Sequence, residues 1–210
     1  MASRTHTANQ DAFTRPPPSA VTYDLSVPHQ ATIKLLPGSA WTSGPHWHNT
    51  HTEFLEVQSG RAEIMLDGAV LAAIGPADGV ITVPRGIIHE WRRSQTAGGD
   101  EELIVREWTD PKDGQKEVFF RNLNGLILDA IKDGDGSWRM RTLDLELFNL
   151  FWRQDNWPVM LRQSWPSWIQ GAATRAVLMG AVVLGKILGC NGVYDEYMRY
   201  AVDTAGLSPK

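Results

Sequence analysis

Four of the six histidines in this 210-residue sequence fall in two short stretches, His46, His48 and His51 in GPHWHNTHTEF and His89 in PRGIIHEW. In a strand, side chains two apart leave the same face, so His46 and His48 can offer both imidazoles to one interior point. By the same parity Glu53 shares a face with Leu55 and Val57, while Phe54 and Glu56 take the other. A carboxylate turned into the interior of a sheet needs a cation to offset its desolvation. A divalent metal held by His46, His48 and Glu53, with His89 from a separate strand as fourth ligand, supplies one. His51 has the parity of Glu53 and could replace it without moving the site.

This mixed nitrogen and oxygen donor set suits Fe, Mn, Co, Ni, Cu or Zn rather than Ca or Mg. Four protein ligands leave one or two positions for water, dioxygen or a chelating substrate. Glu53 and His89 are the candidate catalytic residues, Glu53 as a base that loosens from the metal. His89, Trp91 and Arg93 share a strand face, which makes Trp91 a candidate platform for a planar substrate and Arg93 a candidate partner for its carboxylate or phenolate. Trp47 lies between two ligands with opposite parity and reads as structural.

The elements that must position these residues are short. From Val21 to about Thr109 the chain alternates β-branched and aromatic residues between Gly, Pro and Asp-Gly signals, the pattern of an all-β barrel or sandwich. Strands are expected at 31–36, 52–58, 62–66, 80–83, 88–92 and 102–108, with Asp67-Gly68 closing a hairpin. Beyond Pro111 the period lengthens: Phe120, Leu123, Ile127 and Ile131 predict a helix that stops at Gly134 to Gly136. Further helices are expected over 143–152 and, from a Ser167 cap, over 167–188. The organisation expected is thus a flexible N-terminal arm (1–20) carrying Pro16 to Pro18, a barrel (21–110) and a helical C-terminal extension (111–210) packed on the barrel or at a dimer interface.

The last helix contains the apolar run AVLMGAVVLG between Arg175 and Lys186, about half the length a bilayer span needs. No transmembrane span is therefore expected, although contact with a membrane surface is compatible with this helix. Twenty Lys and Arg against twenty-four Asp and Glu give a net charge of -4, which argues against a nucleic-acid partner. The single cysteine, Cys190, excludes an internal disulfide framework, and the first twenty residues lack the apolar core of a secretory signal, so a cytoplasmic protein is expected. Walker, dinucleotide-binding and serine-hydrolase motifs are absent from the sequence.

His46-Trp47-His48, Glu53 and Gly60 stand at the spacing of the first cupin motif, and Pro84-Arg85-Gly86 with His89 at the core of the second, twenty-three residues apart. The sequence thus resembles the cupins from about Leu36 to Arg93. The resemblance implies an all-β jelly-roll barrel with one divalent transition metal near its axis, iron favoured, held by His46, His48, Glu53 and His89, and pairing of barrels into a homodimer. Departures fall on turns and on the end of the second motif: Ala40 and Gly79 displace motif glycines, and Arg93 stands where an asparagine is usual. A compact barrel followed by a Trp-rich helical tail also resembles the cupins found beside fungal polyketide and aromatic secondary-metabolite enzymes. That implies a metal-dependent oxidoreductase, dioxygenase-like, acting on a small aromatic or polyketide-like molecule. A redox-neutral cyclase, isomerase or decarboxylase at the same centre is the alternative, and a non-catalytic binding or scaffold protein a third.

Overall fold

The structure is a computed structural model and describes residues 3–97, 99–162 and 164–199. Among the described residues, eleven strands form two antiparallel sheets. The first contains β1 (Ala12–Arg15), β2 (Val21–Asp24), β3 (Gln30–Leu35), β5 (Thr52–Ser59), β8 (Val80–Val83) and β10 (Leu103–Asp110), in the order β1-β2-β3-β10-β5-β8. The second contains β4 (His46–Trp47), β6 (Ala62–Leu66), β7 (Ala69–Ile74), β9 (His89–Arg93) and β11 (Trp157–Pro158), in the order β11-β4-β9-β6-β7. Among the described residues, three α-helices follow the barrel: α1 (Gln115–Asp133), α2 (Trp138–Arg153) and α3 (Ser167–Leu188). The fold is a jelly-roll core with a helical extension, as the sequence implied.

Inward parity builds the core. Ile33 and Leu35 of β3, Leu55 and Val57 of β5, Ile64 of β6, Trp91 of β9 and Leu103 and Val105 of β10 are all at most 3% exposed and form one cluster. Two motif glycines hold the turns around the site. Gly60 sits at φ +74° against the Glu102 backbone, where a Cβ would stand 2.7 Å from a carbonyl oxygen, so the turn after β5 admits no side chain. Gly86, at φ +78°, donates its N–H to the His48 carbonyl at 2.7 Å and so ties the turn before β9 to the ligand segment.

The expected flexible arm is corrected by the structure. β1 lies inside residues 1–20 and pairs with β2 just beyond them, and Phe13 is buried. Composition missed this because polar contacts do most of the anchoring: Arg4 pairs with Glu146 at 2.7 Å, the Thr5 N–H reaches Asp129 at 3.1 Å, and the Thr7 N–H donates to the Glu196 carbonyl. The extension is also not wholly helical, since β11 adds a strand beside β4 and pairs Trp157 with Trp47 and Pro158 with His46.

Helix α1 lies on the barrel, with Phe120 entering the core at 5.0 Å from the ring of Tyr23. Helix α2 begins earlier than its apolar pattern suggests because the Ser137 hydroxyl caps it by accepting from the Met140 N–H. In α3 it is Pro166, not Ser167, that occupies the cap position, and Gly189 ends the helix in the left-handed conformation. Only the narrow stripe Gln170, Thr174, Leu178, Ala181 and Gly185 of α3 is buried, and Asn149 of α2 donates to the Ala181 carbonyl at 3.0 Å. Trp168, Met179, Val183 and Ile187 face outward, and among the described residues α3 is the one helix long and apolar enough to cross a membrane.

Candidate metal centre

The antiparallel register of β4 and β9 sets His46 directly opposite His89, and β5 brings Glu53 from the facing sheet. His48 follows β4 immediately. One ligand atom from each of His46, His48, Glu53 and His89 lies within 4.8 Å of the other three, and all four residues are buried. The four residues first chosen as a ligand set from spacing are brought together.

Hydrogen bonding decides how the imidazoles face. His46 Nδ1 donates to the Gly44 carbonyl at 2.7 Å, His48 Nδ1 to the Asp155 carbonyl at 2.7 Å and His89 Nδ1 to the Ile87 carbonyl at 3.1 Å. A carbonyl can only accept, so each Nδ1 carries the hydrogen, and in the neutral ring Nε2 keeps its lone pair. His48 Nε2 then lies 3.1 Å from Glu53 Oε2, and His89 Nε2 3.2 Å from Glu53 Oε1. Between each of these nitrogens and the carboxylate a proton or a metal ion is needed, since otherwise lone pairs of nitrogen and oxygen face one another. Three Nε2 atoms and one carboxylate converging on one point are a donor set that fits a divalent transition metal.

Charge around Glu53 is arranged accordingly. Burial alone would raise its pKa, but Lys116 and His89 outweigh that and hold the carboxyl well below the usual range. Lys116, from the first turn of α1, donates Nζ to Glu53 Oε2 at 2.7 Å and also to Glu107 of β10. Two buried carboxylates share one buried ammonium. Burial and the Glu53 charge push Glu107 up, against the pull of Lys116. Burial and its histidine neighbours push His46 well down, whereas at His89 the facing Glu53 carboxylate overcomes burial and raises the imidazole.

His51 is not an alternative to Glu53. Its Nδ1 lies 2.8 Å from Asp155 Oδ2 and its Nε2 3.0 Å from Asp113 Oδ2, so neither nitrogen is left for a metal. Asp155, just beyond α2 with φ +50°, clamps the segment from His48 to His51. Its carboxylate accepts from the Asn49 and Thr50 N–H groups at 2.9 and 2.8 Å, from the Thr50 hydroxyl at 2.6 Å and from Trp157 Nε1 at 2.8 Å. Against the cost of burial, the bonds from Thr50 and His51 hold Asp155 down at about 2. Asp155, Asp113 and Lys116 all come from the extension, and no local pattern in the sequence marks them.

A cavity of about 160 Å³ opens on His46, His48 and Glu53 and is walled by both barrel and helices, including Tyr23, Trp41, Lys116, Phe119, Phe120 and Phe151. Trp91 and Arg93, expected to bind substrate, do not line it. Parity was right, since both are buried on the His89 face, but depth along the strand separates them from the centre. Trp91 is 1% exposed in the core, 4.7 Å from the Trp41 ring, and its Nε1 reaches Glu107 at 3.4 Å. Arg93 donates to the Gly99 carbonyl at 2.7 Å at the end of β9. Trp47 packs outward against Trp157, as its parity required.

A jelly roll whose two sheets meet at a buried cluster of three histidines and one glutamate, at the positions where the sequence resembles the two cupin motifs, has the fold and the donor arrangement that the cupin resemblance implies. No family model matches the sequence. Over 96 residues the chain is 32% identical to the probable oxidoreductase patJ of Aspergillus clavatus, a match covering 45% of this chain and 29% of that protein. The probable oxidoreductase patJ of Penicillium expansum is similar to the same extent. The chain thus spans less than a third of the length of these relatives. Among solved structures, the KdgF protein of Halomonas sp. is similar with TM-score 0.36 and 17% identity over 54% of this chain and 97% of that one. The cupin domain of Schizosaccharomyces pombe Cnp3 gives TM-score 0.31 and 14% identity over 50% of this chain and 67% of that one.

Proposed function

We propose that this protein is a mononuclear metal-dependent oxidoreductase of small aromatic molecules, with dioxygen as the oxidant. The observation that carries the reading is the facing of Nε2 lone pairs and the Glu53 carboxylate, buried beside an aromatic-walled cavity. A redox-active divalent ion held by His46, His48, Glu53 and His89 supplies Lewis acidity toward a phenol or enol oxygen and one-electron reactivity toward oxygen. The resemblance to proteins described as probable oxidoreductases supports the oxidative assignment.

The chain's own residues hold, orient and exclude. The carbonyls of Gly44, Ile87 and Asp155 fix the three imidazoles. Lys116 holds Glu53 in place with its Nζ 2.7 Å from Oε2, so that proton exchange at Glu53 runs through Lys116 and Glu107. Phe119, Phe120 and Phe151 of the helices wall the cavity and keep water from the reacting face.

That same buried Lys116 favours a second reading, redox-neutral proton transfer in a cyclisation, isomerisation or decarboxylation. Oxygen uptake separates the two. Protein reconstituted with iron and offered mono- and dihydroxylated benzenes should consume oxygen in step with substrate loss; turnover without oxygen consumption would overturn the oxidative reading, and no turnover in either assay would overturn both.

A further inference from the structure

Arg15, the last residue of β1, lines the cavity that holds His46, His48 and Glu53. Its guanidinium is set in place from two sides. Nε donates to Asn124 Oδ1 at 2.8 Å, and the guanidinium carbon stands 5.0 Å from the centre of the Tyr23 ring. Asn124 is itself fully buried and fixed in α1 by donating Nδ2 to the Phe120 carbonyl at 2.9 Å, which leaves Oδ1 turned to Arg15. Nη2, by contrast, is buried without any hydrogen-bond partner, and among the described residues no carboxylate pairs with this guanidinium. A buried donor with nothing to donate to is costly, and native proteins rarely keep one without a use.

We infer that Arg15 is the recognition site for the carboxylate of the substrate, and that the substrate is a single-ring aromatic acid. This rests on the metal-dependent reading above. Charge favours an anion: with a divalent ion in place, Lys116 and Arg15 leave the site two positive charges in excess of Glu53 and Glu107. Size favours one ring, since a cavity of about 160 Å³ is close to the roughly 150 Å³ that admits a benzene molecule. The wall of Tyr23, Trp41, Phe119, Phe120 and Phe151 suits the face of such a ring, and a guanidinium is the donor best matched to a carboxylate.

The test is calorimetric titration of metal-loaded and metal-free protein with benzoate and with its neutral isostere benzamide, for wild type and Arg15→Gln, with metal content measured on the same samples. Wild type should bind benzoate more tightly than benzamide. Arg15→Gln should lose about tenfold or more of the benzoate affinity and none of the benzamide affinity. Crystals of the wild type grown with benzoate keep the test independent of how the variant folds, and should show a carboxylate oxygen within hydrogen-bond reach of Nη2. Benzoate bound equally well by Arg15→Gln, no preference over benzamide, or a carboxylate turned away from Arg15 would each overturn the inference. Full metal content with Arg15-independent binding would do so while leaving the metal centre standing. Arg15-dependent benzoate binding by a protein that takes up no metal would retain the anion site and end the metal reading instead.

Discussion

The backbone carbonyl of Asp155 accepts from His48 Nδ1 at 2.7 Å while its carboxylate holds His51 and the backbone of Asn49 and Thr50. One residue of the C-terminal extension thus sets the orientation of a barrel ligand more than a hundred positions earlier in the chain. The helical extension is part of the site, because without it His48 has no acceptor and the loop after β4 has no anchor.

Replacing Asp155 with alanine leaves its carbonyl in the chain but removes the acceptor for two backbone donors, a hydroxyl, an indole and His51. Metal affinity should fall about 10–100-fold, because the loop that carries His48 loses the carboxylate that holds it against that carbonyl. Competition with a chelator of known affinity reads this directly. Unchanged affinity in a folded Asp155→Ala protein would mean that the clamp does not position His48.

The same carboxylate makes a pH-dependent contribution to stability. Its folded pKa of about 2 lies below its value of 3.8 in an unfolded chain, so the stabilisation is fully present above about pH 4 and is lost as pH falls toward 2. At one pKa unit per roughly 1.4 kcal/mol, it amounts to about 2 kcal/mol. Urea unfolding between pH 5 and 2 should show a steeper loss of stability for wild type than for Asp155→Asn; parallel curves would contradict the assignment.

Lys116 is the sole cation that hydrogen-bonds both Glu53 and Glu107 among the described residues, each at most 5% exposed. Lys116→Met deprives two buried carboxylates of their shared ammonium and should cost about 3–5 kcal/mol in the metal-free protein. Adding Glu107→Gln should restore most of that loss. Chemical denaturation of the single and double variants checks it, and additive losses would show that the three groups do not act as a unit.

The sequence was informative where function depends on period-two geometry. The parity of His46, His48 and Glu53, the separate strand of His89 and the outward Trp47 all follow from alternation, and the observed strands β6 and β8 keep the boundaries that their β-branched and aromatic texture suggested. Parity says which face a side chain takes but not its depth along the barrel, and so Trp91 and Arg93 were placed at the substrate when they lie in the core and at a strand end. Contacts that bring distant segments together left no local trace: Asp155 and Lys116 on the centre, and Arg15 in a proline-rich stretch whose composition argued for disorder. Among the described residues, Phe13 is the one large apolar side chain that the N-terminal stretch commits to the core cluster, too little for a compositional argument to register.

Elemental analysis of the purified protein, after exposure to iron, manganese, nickel, cobalt, copper and zinc, tests the central claim most directly. The account predicts close to one tightly held transition ion per chain in wild type and its loss in a folded His48→Ala variant. A wild-type protein that is folded yet retains no ion above trace level, or a His48→Ala variant that retains a full equivalent, would contradict it.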